Sequence, residues 1–291
     1  MADQAAHSDA LAAVFGQAPA YAPDIASYEK RLDQNPEWAL SEGSRFFEEK
    51  SAVQTTLRRI ARRLDELNVP YAVAGGMALF KHGFRRFTED VDILVNRAAI
   101  KTIHRELDGR GYLPPFAGSK NLRDTELGVK IEFIVTGDYP GDGQPKPVAF
   151  PDPASVAVEL DGVKYVNLPT LVELKLASGM TNPRRGRDLN DVQDLIETLN
   201  LSAEFTDRLN PYVRDKYREL WTTVWGVPKR YMLLCCKDSL PAEMLAAMRA
   251  DGVVEEPAGD DESARLITTD PDVARKYGMH DESEFLGPDG A

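Results

Sequence analysis

Apolar residues at Val53, Leu57, Ile60, Leu64 and Leu67 recur at steps of four and three, with Arg58, Arg59, Arg62 and Arg63 between them. That spacing predicts an amphipathic helix with a solvated arginine face, ended by Asn68 and Pro70. "YAVA" (71–74) then reads as a strand, Gly75-Gly76 as a tight turn, and "MALFKHG" as a short helix closed by Gly83. "DVDILV" (90–95) predicts a second strand, and Ile100, Ile103 and Leu107 a helix over about 97–108 stopped by Gly109 and Gly111. "VKIEFIV" (129–135) predicts a third strand, with Val129, Ile131, Phe133 and Val135 on one face and Lys130, Glu132 and Ile134 on the other.

The Pro- and Gly-rich stretch that follows, "TGDYPGDGQPKPVAFPDP", is expected to be loop. "SVAVEL" and "VKYVNL" around Asp161-Gly162 predict a hairpin with a type I′ turn. Thr170 and Glu173 read as a capping box opening the helix "LVELKLAS", and a further helix from about Asp188 turns Leu189, Val192, Leu195, Ile196 and Leu199 inward. A helical stretch over about 203–226 precedes strand ("YMLLCC"), helix ("PAEMLAAMRADG"), strand ("ARLITT") and a short helix ("PDVARKYG"). The expected organisation is a loosely ordered arm with one or two short helices (1–43), an α/β core (44–200), a helical segment (201–228) and a small α/β appendage (229–291) whose acidic tail frays. The core is expected to be a small mixed sheet with flanking helices.

Composition narrows this further. With 291 residues and 43% apolar content the chain can bury a core, and its net charge of -12 argues against a broad basic surface for duplex binding. Cys235 and Cys236 are too few for a disulfide framework, which suits a reducing cytoplasm, and are expected to be buried in a strand. No run nears the roughly 18 apolar residues of a membrane span, so no membrane partner is expected.

The candidate chemistry lies in "VAGGMALFKHGFRRFTEDVDILV" (73–95). On a strand Asp90 and Asp92 project from one face, where two carboxylates repel unless a cation sits between them. A D-x-D on a strand is therefore suited to a hard divalent ion with substrate phosphates, and Glu132, a lone acid in an apolar strand, qualifies as the third ligand. Gly75-Gly76, between strand and helix, leaves backbone N–H groups open to a phosphate.

This stretch resembles the signature of the nucleotidyltransferase superfamily that includes DNA polymerase beta and the aminoglycoside nucleotidyltransferases. The segment "LPTLVELKLASGMTNPRRGRDLNDVQDLIE" is similar to one in minimal bacterial nucleotidyltransferases of the abortive-infection type IV toxin kind. The resemblance spans roughly residues 50–200 and identifies the α/β core with the nucleotidyltransferase fold. It implies Gly75 and Gly76 as the phosphate-contacting turn; Asp90, Asp92 and Glu132 as ligands of Mg²⁺ (or Mn²⁺) and catalytic acids; and Lys175 as the lysine that meets the triphosphate. It implies Asp188 or Asp191 as the acid after that lysine. Glu132 departs from the family pattern, where Asp is common. The implied activity is transfer of NMP from an NTP to a hydroxyl of RNA, protein or a small molecule, with tRNA among the acceptor candidates. A toxin–antitoxin or phage-defence role with an antitoxin partner is also implied. The other reading is a nucleotide-binding or partner-binding protein that keeps the fold with little catalysis.

Plainer roles stand beside each of these. The three acids can be structural, salt-bridged to Arg85, Arg86 or Lys130; Lys175 can snorkel; and Asp188 and Asp191 can serve the start of their helix. Arg184, Arg185 and Arg187 in "NPRRGRD" can hold triphosphate or RNA, or be solvated loop residues. His82, His104, Trp221 and Trp225 read as structural.

Overall fold

The computed structural model describes residues 26–226, 229–236, 239–257 and 263–282. The chain divides into two units, one running through Val224 and one from Trp225 onward.

In the first unit the arginine-bearing helix forms as α3 (Ala52–Glu66), preceded by α1 (Tyr28–Gln34) and α2 (Pro36–Phe47). Ser51 caps α3 in a reciprocal pair with Gln54, and Val53, Leu57, Ile60 and Leu64 are buried, as the four-and-three spacing requires. Arg59 leaves the solvated face to approach Asp124, a fully buried carboxylate, at 3.5 Å. α1 and most of α2 are the short helices expected in the arm, and they are anchored: Tyr28 of α1 is buried in the core and its hydroxyl donates to Glu42, while Phe46, just past the arm, is buried as well. The rest of that arm, residues 1–25, lies outside the described residues.

Then follow β1 (Tyr71–Val73), α4 (Gly75–Lys81), β2 (Asp90–Val95), α5 (Arg97–Leu107), β3 (Tyr112–Leu113), β4 (Leu122–Asp124), β5 (Lys130–Val135), α6 (Pro153–Val156), β6 (Ala157–Leu160) and β7 (Val163–Val166). The strands make one mixed sheet in the order β3-β4-β5-β2-β1-β7-β6. Its centre is the parallel pair β2 and β5, in a register that sets Asp92 beside Glu132 and Asp90 beside Lys130. Val91, Ile93, Ile131 and Phe133 fill the opposite face and are buried. β3 and β4 are too short to show periodicity and appear only through their pairing with β5. In the β6–β7 hairpin Asp161 and Gly162 both have positive φ (51° and 75°), as a type I′ turn demands.

α7 (Leu168–Thr181) starts earlier than the Thr170–Glu173 pair implies. Asn167 is its cap, accepting from the Thr170 N–H at 3.0 Å, because Pro169 fits the first turn where no N–H is needed. Glu173 instead accepts the Asn210 N–H at 2.5 Å. A 3₁₀ turn (Pro183–Arg185) leads into α8 (Gly186–Thr198). The expected helix over 203–226 is split into a 3₁₀ segment (Ala203–Arg208) and α9 (Pro211–Trp225), since proline starts a helix readily and continues one badly. Through Val224 this segment belongs to the first unit rather than standing apart. Trp221 packs on the core and donates its indole N–H to Leu201.

The second unit has β8 (Tyr231–Cys236), α10 (Ala242–Ala250), β9 (Val254–Pro257), β10 (Ser263–Thr268), α11 (Pro271–Tyr277) and β11 (His280–Asp281), with an antiparallel sheet ordered β11-β8-β10-β9. β9 and β11 were not legible as strands. The buried-cysteine expectation fails: Cys235 is partly exposed and Cys236 exposed, because alternate residues of β8 face opposite ways and only one face packs on Met248 and Leu266. The tail from residue 283 lies outside the described residues. Among the described residues no helix is long and apolar enough to cross a membrane.

Candidate active site

The site begins where β1 ends. The Ala74 N–H donates to the Asp92 carbonyl at 2.9 Å, holding the chain against β2 as it turns into α4. Helical structure starts at Gly75 itself, whose φ is +57°. A Cβ at Gly75 would overlap Oδ2 of Asp92, and one at Gly76 would lie 2.7 Å from Cβ of Thr88. The two glycines thus let the turn lie directly on the D-x-D strand, a demand of packing that either glycine would fail as any other residue. Thr88 in turn donates its hydroxyl to Oδ1 of Asp90 at 2.8 Å.

Asp90, Asp92 and Glu132 offer carboxylate oxygens that all lie within 4.8 Å of one another. All three are partly buried. The parallel register between β2 and β5 produces this: residues paired in register with side chains on one face meet across the sheet. Lys130, two residues before Glu132 on the same face, donates to its Oε1. One cation against three carboxylates leaves the cluster negative, and the effect falls on Asp92. Burial, then Asp90 and Glu132, push its carboxyl up from 3.8 to about 7, against the pull of Lys175 and Arg185.

That shift has a stability consequence with a definite sign. Between pH 3.8 and about 7 the folded protein keeps a proton on Asp92 that the unfolded chain has released, so this group makes stability fall as pH rises through the window. We expect the metal-free protein's melting temperature to carry this downward component and Asp92→Asn to flatten it, measured by thermal unfolding across that range. Equal slopes in the two proteins would remove the assignment.

The other wall comes from α7 and α8. Lys175, 7% exposed, donates to Oδ1 of Asp188 at 2.9 Å and to Oδ2 of Asp191 at 2.6 Å. Ser178 donates to the second oxygen of Asp188 at 2.6 Å. Asp188 lies in the first turn of α8, and Asp191, one turn on, is buried. Both candidate acids after the lysine therefore touch it. A snorkelling lysine would keep its head in water; this one is held by two carboxylates.

Two cavities, of about 810 and 690 Å³, meet at Gly75, Asp92, Lys175, Arg185 and Asp188. The larger also borders Glu132, Tyr139, Phe150 and Leu174; the smaller borders Gly76, Arg86, Asp90 and Arg187. Arg184 lines neither. Arg185 and Arg187 are exposed at the rim.

Sequence spacing did not reveal the role of Arg86, whose Nε and Nη2 donate to the two oxygens of Asp191 at 2.7 and 3.0 Å. Its neighbour Arg85 lies over the Phe80 ring instead, 5.4 Å from the centroid. Neither arginine meets the three acids; of the cations weighed as their structural partners, Lys130 alone does, through Glu132. His82 contacts the Val166 carbonyl and His104 contacts Asp108.

No family model matches the sequence, and a search of curated proteins gives no match. Among solved structures the chain is similar to ANT(2'')-Ia in complex with adenylyl-2''-tobramycin, at 13% identity over 57% of this chain and 96% of that one, with a TM-score of 0.39. It is also similar to an antigenic nucleotidyltransferase-like protein from Paracoccidioides brasiliensis, at 16% identity over 60% of this chain and 96% of that one, with a TM-score of 0.35.

Proposed function

We propose that this protein is a divalent-metal-dependent nucleotidyltransferase that moves NMP from an NTP to a hydroxyl acceptor. The observation that carries this reading is the meeting of Asp90, Asp92 and Glu132 within 4.8 Å, directly beside the Gly75 turn. Three hard oxygen donors with one lysine for compensation fit Mg²⁺ or Mn²⁺, and the raised Asp92 carboxyl is what such a donor set does without a cation. Held by these three residues, divalent cations would supply charge neutralisation to the reacting phosphate.

The chain's own groups do the rest. The acceptor oxygen attacks the α-phosphorus, the bond from that phosphorus to the bridging oxygen breaks, and pyrophosphate leaves with the electron pair. Glu132 borders the larger cavity and takes the acceptor proton; the Gly75-Gly76 backbone and Lys175 hold phosphate where the two cavities join. Arg185 and Arg187 add positive charge at the rim. Positioning and charge compensation account for most of the acceleration in reactions of this kind.

The test is incubation of the protein with each labelled NTP, Mg²⁺ or Mn²⁺ and cell extract. A labelled product that EDTA prevents supports the reading. Metal-dependent NTP binding with no transfer to any fraction would instead mark a nucleotide-binding protein without catalysis.

A further inference from the structure

Arg86 stands between the α4 helix and the D-x-D strand, yet its guanidinium reaches across to α8, to a residue 105 positions later in the chain. The carboxylate it meets, Asp191, is 1% exposed, and both its oxygens are taken: one by Arg86 Nε, the other by Arg86 Nη2 and Lys175 Nζ together. Lys175 is also bound by Asp188, whose remaining oxygen is taken by Ser178. The result is a closed chain of two cations and two carboxylates. Without Arg86, a single ammonium would face two carboxylates, and an anion approaching Lys175 would meet net negative charge.

Resting on the functional reading above, we infer that Arg86 is a positioning residue for phosphate binding. Its fork occupies Asp191, so that Lys175 stays fixed between α7 and α8 and retains positive field for the phosphate of the substrate. The geometry favours arginine over lysine here because a planar fork can take both oxygens of one carboxylate while fixing its orientation. A direct contact from Arg86 to substrate is the competing role, since Arg86 also borders the smaller cavity.

The two roles separate in a double-mutant cycle read by binding of inorganic tripolyphosphate with Mg²⁺, followed by titration calorimetry on the full chain. If Arg86 acts through Asp191, Arg86→Gln weakens tripolyphosphate by about tenfold or more, and Arg86→Gln with Asp191→Asn recovers to within about threefold of wild type, because removing the freed carboxylate restores the balance around Lys175. In the labelling assay Arg86→Gln raises KM for the NTP while kcat stays within about threefold, a split that general loss of packing would not produce. Wild-type binding of tripolyphosphate with no loss in Arg86→Gln overturns the inference, as does a double variant no better than Arg86→Gln, which would mean direct contact. Should Arg86→Gln not fold, Arg86→Lys alone and with Asp191→Asn gives the same comparison. A wild-type protein that binds neither tripolyphosphate nor any NTP overturns the functional reading, and this inference with it.

Discussion

Asp92→Asn is expected to abolish metal-dependent transfer from labelled NTP while leaving the metal-free protein as stable as wild type, or more so. The two effects have one cause. The ionised form of Asp92 is penalised by burial and by the charges of Asp90 and Glu132. An amide of nearly the same shape removes that repulsion, so the apo fold gains where the charge was costly. Divalent cations, however, need the anionic oxygen, and losing it is expected to reduce transfer by more than about a thousandfold, or ~4 kcal/mol of transition-state stabilisation. Added Mg²⁺ or Mn²⁺ should also raise the wild-type melting temperature, and more strongly at about pH 8 than at about pH 5.5, because the ligand must be deprotonated to bind. The variant should show little of this gain. Thermal unfolding with and without metal, alongside the labelling assay, checks both halves. Full activity in Asp92→Asn would end the catalytic assignment, and a large drop in its apo melting temperature would contradict the charge argument.

Gly75→Ala is expected to cost both fold and function. At φ +57° an alanine pays a left-handed backbone penalty of about 1–2 kcal/mol, and its Cβ would overlap the Asp92 carboxylate. Overpacking adds a comparable amount, so a total near 2–4 kcal/mol is expected in denaturant unfolding. Relief can come only by moving the turn off β2 or by displacing Asp92, and either disturbs the proposed metal ligand. Gly76→Ala is the informative comparison. Its φ is not positive, so the left-handed backbone penalty is absent and only the clash of its Cβ with Cβ of Thr88 at 2.7 Å remains; a smaller loss of stability is expected. Equal unfolding free energies for wild type and Gly75→Ala would show that the close approach to Asp92 is not a constraint.

Much of the fold was legible because the relevant signals are local. The α3 stripe, the β6–β7 turn at Asp161-Gly162 and the facing of Glu132 away from Ile131 and Phe133 all follow from 3.6- or 2-residue periods and from turn chemistry. The failures have local causes too. The start of α7 was misplaced because a Thr-x-x-Glu pair outweighed Asn167, which sits ahead of a Leu-Pro step that suits a first helical turn. Tyr28 was left in a loosely ordered arm because helices as short as α1 show too little periodicity; its order comes from burial against the core and from Glu42, which accepts from both the Tyr28 hydroxyl and the Ala52 N–H.

The candidate site divides along the same line. The sequence by itself determined that Asp90 and Asp92 share a face, that Gly75-Gly76 stands at a strand-to-helix junction, and that Lys175 and the two aspartates after it lie on adjacent helices, since side-chain direction within an element follows from spacing alone. Only the tertiary structure decided that β2 and β5 run parallel in the register that brings Glu132 to Asp92, that Gly75 must be bare because Asp92 occupies its Cβ position, and that Arg86 rather than a neighbour of the D-x-D clamps Asp191. These are contacts between residues 17 to 105 positions apart. No periodicity encodes them, because strand register and helix docking are set by how the whole core closes.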